Sequence, residues 1–312
     1  MNFAETLVLV LAAVYGLAGL LLSILVTCIW HAGFHRRRAA SGELLALRLL
    51  PPVGAAFLTL TVTLPAFLIY EPAHEAEQAG PLLAGLVIFA LITLGHGIVR
   101  AWHAGAAAAV LLHRCARNNR GLVIAEQPVD VIEVSDPLVA VIGAWRPRIV
   151  VARGVLAACT DEEIRQVVAH EVAHVSARDN VKLLLLLASP DALAWAPTGK
   201  ALIARWRAAA EFEADARASG ADRRKRVALA SALIKVARLS IGTRHQFPVL
   251  SMPIASDDVE GRVRRLLAPL RPSPRTLHIQ VVFAGACLIA VLAVPLYGIV
   301  QELIEVLVAF GR

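Results

Sequence analysis

The stretch VVAHEVAHVSARDN, residues 167–180, contains a His-Glu-x-x-His pattern within apolar residues at helical spacing. Residues four apart lie one turn apart on the same face of an α-helix, so His170 and His174 can direct two imidazoles at one ion. Glu171 lies about 100° around the helix from His170, beside an open coordination position where a carboxylate can take a proton from bound water. The pattern therefore predicts a metal site, as opposed to an ordinary polar face of a surface helix.

The residues before the motif predict where its helix begins. Thr160 fits the N-cap position and Glu163 the N3 position of a capping box. Apolar residues then recur at the spacing of one helical face: Ile164, Val167, Val168 and Val172. We therefore expect the two histidines to lie on a helix with a buried side.

The sequence EFEAD, residues 211–215, offers a third ligand on a second predicted helix that ends at Gly220. Glu211 and Asp215 are four apart and share a face, whereas Glu213 points nearly opposite and is expected to be solvated. Zinc is the expected metal, one ion per chain, because it favours histidine and carboxylate ligands, with three protein ligands and water in catalytic sites. Asp215 can accept an imidazole N–H and so fix the ligand's orientation.

Composition indicates a membrane protein. Of the 312 residues, 58% are hydrophobic and only 18% are charged, and the mean hydropathy is +0.66. Crossing a bilayer takes roughly 20 apolar residues in a helix. Four stretches qualify: residues 7–30, 49–70, 81–99 with an Ala-rich extension to about 113, and 277–300. The second is expected to begin at Pro51-Pro52 and to be kinked near Pro65.

Arginine placement predicts the orientation of these spans, since Lys and Arg stay on the cytoplasmic side. The loop after the first span contains three consecutive arginines, whereas the loop after the second, EPAHEAEQAG, has three glutamates and no Lys or Arg. Further arginines follow the third span and precede the fourth, Arg262 among them. We expect three transmembrane helices in residues 1–113, a cytosolic domain at 114–276, a fourth span at 277–300 and a short extracytoplasmic tail at 301–312. Both termini would then be extracytoplasmic.

Net charge and cysteine content indicate which kinds of molecule this protein is expected to bind. The net charge is +7, but the arginines cluster at membrane boundaries, where anionic lipid explains them better than nucleic acid does. The four cysteines form no Cys-x-x-Cys pair, so neither a thiolate zinc site nor a disulfide framework is indicated. We expect contact with the lipid bilayer and no direct nucleic-acid partner.

The cytosolic region combines a sheet with helices. Residues 122–151 contain short β-branched runs broken by Pro, Asp and Gly, which predict a small sheet. The apolar run at 183–197 is too short to span a membrane and is interrupted by Pro190 and Asp191. The expected architecture is a membrane α-helical protein with four transmembrane helices and an inserted cytosolic α+β domain that carries the predicted metal site.

HEVAHVSARDN, GAWRPRIVV, EFEAD and the layout of three spans, soluble domain and one span together resemble the BlaR/MecR-type integral membrane zinc peptidases. More distantly, the chain is similar to the HtpX/CAAX-protease type. The resemblance implies a zincin-like domain in which His170, His174 and Glu211 bind zinc and Glu171 is the catalytic base. It also implies that Asp215 and Asp179 support the ligands. RIVV would be an exposed edge strand along which a substrate peptide binds by backbone pairing: Arg148, Ile149, Val150 and Val151.

Two features distinguish members of that group. Antibiotic sensors carry a penicillin-binding domain after the last span, whereas only QELIEVLVAFGR follows Val300, and no Ser-x-x-Lys occurs. We therefore expect no direct β-lactam sensing by this sequence. The HtpX type usually places a pair of spans between HExxH and the glutamate, but Glu211 follows His174 by only 37 positions. This spacing favours the BlaR/MecR type.

The sequence thus predicts a multi-pass protein of the inner (plasma) membrane that cleaves a protein substrate at the cytosolic face, in regulated proteolysis or signal transduction. Two alternatives remain, an HtpX-like quality-control protease and a non-catalytic transducer with a structural zinc site. A structural site would need a fourth protein ligand, and none is evident nearby. A cation transporter is disfavoured because His96 is nearly alone among ionisable residues in the spans. The resemblance suggests a cytosolic repressor as substrate, and a homodimer or a separate sensor as partner.

Overall fold

A computed structural model describes residues 3–70, 80–117, 120–134, 137–240, 251–253 and 258–268. The chain divides into two compact units. Among the described residues, the first contains 3–70, 80–99 and 188–203, and the second contains the remainder. The predicted fourth span at 277–300, the tail at 301–312 and most of the acidic loop at 71–80 lie outside the described residues.

The first unit is built from apolar helices. Three of them are long and apolar enough to cross a membrane: Phe3–His31, Ser41–Ile69 and Pro81–His113. These match three of the four predicted spans. The elements are α1 (Phe3–His31), α2 (Ser41–Leu58), a π-helical turn (Thr59–Thr63), α3 (Leu64–Tyr70) and α4 (Pro81–Arg117), of which the part up to Val99 belongs to this unit.

The helix of the second predicted span begins earlier in the chain than the expected entry at Pro51-Pro52. Its helix starts at Ser41, and Pro51 and Pro52 lie inside it. The charged residues that make 41–48 look like a loop have partners: Glu43 accepts a hydrogen bond from the Ala40 N–H at the helix start. Further along, Arg48 forms a fully buried ion pair, considered below. The irregularity predicted near Pro65 occurs as the π-helical turn immediately before it, because proline cannot donate the regular backbone hydrogen bond.

The segment 188–203 packs within the first unit. Asp191 accepts a 2.6 Å hydrogen bond from Arg48, and both side chains are 0% exposed. The Tyr15 hydroxyl on α1 donates to the Pro190 carbonyl at 3.3 Å. A short 3₁₀ turn, Ala192–Ala194, follows. The apolar run that begins at 183 is therefore divided by a buried polar turn and does not form a span.

The second unit contains a mixed five-stranded sheet. A tight turn at Ala125 and Glu126, both with positive φ, joins the first two strands as an antiparallel hairpin. The spatial order is β1-β2-β4-β3-β5. The strands are β1 (Arg120–Ile124), β2 (Gln127–Ile132), β3 (Val139–Ile142), β4 (Arg148–Ala152) and β5 (Ser251–Pro253).

The prediction that RIVV forms an edge strand is wrong. Strand β4 pairs in parallel with β2 on one side and antiparallel with β3 on the other, so that Ile149 lies opposite both Val129 and Val141. Its backbone hydrogen-bonding groups are already used, so a substrate peptide cannot pair along Arg148–Ala152. The alternation of apolar residues predicts the strand, but the crossover that places β4 between β2 and β3 is a long-range property.

Helices complete the second unit. The predicted capping box is confirmed: the Thr160 hydroxyl accepts from the Glu163 N–H, and the Glu163 carboxylate accepts from the Thr160 N–H. Gly220, with φ of +53°, follows the helix that carries EFEAD, as predicted. The helices are α5 (Arg153–Ala158), α6 (Asp161–Ala177), α7 (Asp179–Ala188), α8 (Pro197–Ser219, in this unit from Ala204), α9 (Arg223–Leu239) and α10 (Val259–Leu267).

Glu163 also joins α6 to α9. Its carboxylate accepts from the Ser231 hydroxyl at 2.6 Å and from the Lys235 ammonium at 2.7 Å. Burial alone would raise the pKa of Glu163, but these bonds and the Thr160 N–H lower it to about 2. A carboxyl whose pKa is lower in the folded state stabilises the fold above its unfolded pKa and ceases to do so as the pH falls.

We predict that Glu163→Gln lowers the free energy of unfolding by about 1–3 kcal/mol at pH 7, because a charged hydrogen-bonding partner of Lys235 is lost. The difference from wild type should shrink as the pH falls from about 4.5 towards 2. This difference in the free energy of unfolding is measured by unfolding both detergent-solubilised proteins at a series of pH values. Glu162→Gln is the matched control, since Glu162 is half exposed and bonds only on its own helix, to Arg165 and Gln166. An equal loss in both variants would contradict the prediction.

Candidate metal centre

Three helices bring the predicted ligands and their neighbours together. Helix α6 carries His170, Glu171 and His174, α8 carries Glu211 and Asp215, and α7 begins with Asp179. The chain reverses between α6 and α7 at a single left-handed residue, Arg178, with φ of +55°. This turn allows the first residue of α7 to face the last histidine of α6.

The histidine and glutamate side chains form a compact buried group. The Nε2 atoms of His170 and His174 are 3.1 Å apart. Oε2 of Glu211 lies 3.4 Å from Nε2 of His170, and Oε1 lies 3.5 Å from Nε2 of His174. A tetrahedral zinc with ligands at its usual bond lengths separates neighbouring ligand atoms by about 3.3 Å. Each of these closest separations is near that value, the two distances to Glu211 being made by different oxygens, and the group could hold a metal ion.

A carboxylate lies beside the outer nitrogen of each imidazole. Nδ1 of His170 is 3.0 Å from Oδ1 of Asp215, and Nδ1 of His174 is 2.8 Å from Oδ2 of Asp179. A carboxylate attracts the N–H tautomer at Nδ1, which leaves a lone pair on Nε2 for an ion. Lys182 holds the other Asp179 oxygen at 3.0 Å. The Asp179 contact thus orients the His174 ring with Nε2 directed into the group, while Asp215 lies beside His170 as an ion-pair neighbour.

This donor set suits a cation. Two Nε2 lone pairs 3.1 Å apart repel unless a positive charge lies between them, and without a metal that charge is a proton. Burial alone would lower the pKa of His174, but Asp179 and Glu211 raise it to about 10. The pKa of His170 is likewise raised, by Asp215 and Glu211, against the effect of burial. The residues therefore fit a divalent cation that replaces a tightly held proton.

Glu171 is buried without a hydrogen-bonding partner. Its side chain is 0% exposed, and neither carboxylate oxygen has a partner among the described residues. Burial raises its pKa, while the positive charge of protonated His170 and His174 opposes the rise. A buried carboxylate left unbonded is costly. It is therefore available to accept a proton from a molecule that enters the site.

Arg262 on α10 is a member of the group that the sequence does not predict. The sequence places it among the arginines next to the fourth span, yet its side chain is 1% exposed. Nη1 lies 2.7 Å from Oε2 of Glu211, and Nε and Nη2 bond both oxygens of Asp215 at 2.8 and 2.6 Å. One sequence signal was available: Arg262 lies four residues before the apolar Leu266, so both share the buried face of a short helix.

The structure thus brings together six of the residues named from the sequence, and the other four lie elsewhere. Strand β4 buries Ile149, Val150 and Val151 within the sheet. Arg148 forms an ion pair with Asp130 at 3.0 Å. The residues in and around the group are His170, Glu171, His174, Asp179, Glu211 and Asp215.

We predict that Asp179→Asn lowers zinc affinity about 10–100-fold, because an amide attracts the His174 N–H less strongly than a carboxylate does. Competition with a chromogenic chelator measures the affinity. Asp161→Asn, at the exposed start of α6, is the control and should bind zinc like wild type. Unchanged affinity in Asp179→Asn would show that this contact does not support the metal site.

We also predict that zinc affinity rises with pH. The His174 pKa of about 10 means that zinc must displace at least one proton at neutral pH, so affinity should increase about tenfold per pH unit for each displaced proton. The same chelator competition between pH 6 and 8 measures the slope. A flat profile would mean that the imidazoles are already unprotonated in the metal-free protein.

The sequence model of the BlaR1 peptidase M56 family matches residues 84–266. The matched range includes the whole buried group, with Arg262 near its end. No curated protein matches the chain. Because the family match covers more than half of the 312 residues, the chain belongs to the BlaR1 peptidase M56 family.

Proposed function

We propose that this protein is an integral membrane zinc endopeptidase that hydrolyses peptide bonds of a protein substrate. The single observation that carries the proposal is the buried His170, His174 and Glu211 group with the unbonded carboxylate of Glu171 on the same helix. Membership of a peptidase family and three apolar helices of membrane-spanning length support it.

Zinc is the proposed metal, one ion per chain, held by His170, His174 and Glu211. Two imidazoles and one carboxylate are a ligand set found in zinc peptidases, and three protein ligands leave a coordination position for substrate or water. When bound, zinc would supply Lewis acidity towards the scissile carbonyl and lower the pKa of a water molecule. Asp179 and Asp215 keep the two rings in the orientation that this requires.

Glu171 is the proposed general base and then general acid. Its carboxylate takes a proton from the attacking water as the water oxygen bonds to the carbonyl carbon of the substrate. It then delivers that proton to the amide nitrogen as the carbon–nitrogen bond breaks. Complete burial supports both steps, because the raised pKa brings proton acceptance and proton release closer in energy.

The distribution of arginines supports a cytosolic location for the metal centre, in a multi-pass protein of the plasma membrane with both termini extracytoplasmic. This orientation requires an odd number of spans before the peptidase domain at 114–276 and a further span at 277–300. It makes cytosolic proteins the accessible substrates. A repressor cleaved in regulated proteolysis and signal transduction is the proposed substrate, with a homodimer or a separate sensor protein as partner.

One alternative is a non-catalytic transducer with a structural zinc site. A structural site fills all four positions with protein ligands, whereas the group among the described residues contains three. The unbonded Glu171 also has no purpose in a purely structural site. An HtpX-like quality-control protease would share this chemistry and differ in substrate, so only the identity of the cleaved proteins separates it from the regulatory role.

We predict that Glu171→Gln retains one zinc per chain but lowers cleavage about 10²–10⁴-fold, because glutamine cannot accept the proton from water. Metal analysis of the purified protein gives the first value. Mass spectrometry of new protein N-termini in cells that express wild type or variant gives the second. Equal zinc and equal cleavage in the two proteins would exclude Glu171 as the base.

Glu213→Gln is the matched control, since Glu213 lies on α8 between the two site residues but pairs with the partly exposed Arg217. It should cleave like wild type. If wild type binds zinc and no cleavage depends on Glu171, the protein is the non-catalytic transducer. If the cleaved proteins are damaged membrane proteins, and no specific cytosolic regulator is cleaved, the quality-control role is correct.

A further inference from the structure

Arg262 contacts three side chains of the metal centre, Glu211, Asp215 and His170. Its guanidinium lies 2.7 Å from Glu211, bonds both oxygens of Asp215, and approaches Nε2 of His170 at 3.4 Å. A buried arginine placed between two carboxylates is costly unless each N–H is matched. We therefore consider how Arg262 affects the carboxylates of Glu211 and Asp215.

Arg262 balances the charge of the group. Four acidic side chains lie buried there, Glu171, Asp179, Glu211 and Asp215, each at most 4% exposed. Lys182 faces Asp179 at the α7 side, and Arg262 faces Glu211 and Asp215. Arg262 thus supplies the positive charge that faces both buried acidic side chains on α8.

The two carboxylate oxygens of Glu211 lie at different positions relative to Arg262. Oε2 lies 2.7 Å from the guanidinium and 3.4 Å from Nε2 of His170, while Oε1 lies 3.5 Å from Nε2 of His174. A carboxylate that has lost such a partner can turn both oxygens towards an ion. A second oxygen would then occupy the coordination position that water or substrate needs.

We propose that Arg262 is a positioning residue that restricts Glu211 to binding the metal through one oxygen and holds Asp215 against His170. This inference rests on the proposed metal site. In this role Arg262 does more than neutralise charge, because it limits the number of protein atoms that bind the metal. The open coordination position then depends on a residue 51 positions beyond Glu211 in the chain.

The surroundings of Arg262 hold it in place. Helix α10 begins at the cap residue Asp258, which accepts from the Gly261 N–H at 2.9 Å. The guanidinium of Arg265 lies 3.7 Å from the ring centre of Phe212, the neighbour of Glu211 on α8. Arg226 on α9 donates to the carbonyl groups of Arg265 and Ala268 at the end of α10. The helix is thus attached to both α8 and α9.

Lysine cannot replace arginine in this position. Nε and Nη2 of Arg262 bond the two oxygens of Asp215 as a fork, while Nη1 reaches Glu211. Only a planar guanidinium offers donors in that geometry, whereas a lysine ammonium acts as a point charge. A lysine variant therefore preserves the charge and removes the positioning.

The test uses full-length protein in detergent, loaded with cobalt(II) in place of zinc. Four-coordinate cobalt absorbs visible light much more strongly than five-coordinate cobalt. Wild type and Arg264→Gln should give the strong four-coordinate spectrum; Arg264 lies on the same helix, is 78% exposed and pairs with Glu260. Arg262→Gln and Arg262→Lys should give the weaker five-coordinate spectrum, and zinc affinity should change about 10–100-fold.

Arg262→Lys keeps the test valid if Arg262→Gln does not fold, and the unfolding midpoint of each metal-free variant identifies that case. A four-coordinate spectrum with wild-type zinc affinity in a folded Arg262 variant would overturn the inference while leaving the peptidase proposal intact. Failure of wild type to bind cobalt or zinc would overturn the metal site and this inference together. If wild type gives the four-coordinate cobalt spectrum but shows no cleavage that depends on Glu171, the peptidase proposal alone would be overturned.

Discussion

The structure of the second unit depends on the burial of charge around His170 and His174. Each ring has a carboxylate beside its outer nitrogen, at 3.0 and 2.8 Å, so the two inner nitrogens face each other at 3.1 Å. The carboxylates of Asp215, Asp179 and Glu211 raise the pKa of both histidines against the effect of burial. Helices α6, α7, α8 and α10 each contribute charged or titratable side chains to this group.

The apolar unit also contains buried charges that are paired. Arg48 lies on a helix that could span a membrane, and its ion pair with Asp191 is 0% exposed on both sides. A charged group in such surroundings is tolerated only with a close partner. Asp191 lies in the segment that leads into α8, the helix of Glu211 and Asp215. Arg48 and Asp191 thus join α2 to the segment 188–203 within the first unit.

The sequence predicts local features well and long-range ones poorly. His170, Glu171, His174, Glu211 and Asp215 are found from helical spacing alone, and the Thr160 capping box from four residues. The order of the strands is not local: β4 lies inside the sheet because the chain crosses from β2 over to β3 and back, and no apolar pattern records that path. Arg262 escaped prediction because an arginine near a membrane boundary has a simpler explanation than burial against a metal ligand.

X-ray absorption spectroscopy of the purified full-length protein at the zinc edge tests most directly whether the buried group is a metal centre with an open position. One zinc per chain should be found, with two imidazole nitrogens and two oxygens at about 2.0–2.1 Å, and the nitrogen signal should fall in His174→Ala. A sulfur ligand at about 2.3 Å, a fourth protein ligand that excludes water, or zinc content unaffected by loss of His174 would contradict this description of the site.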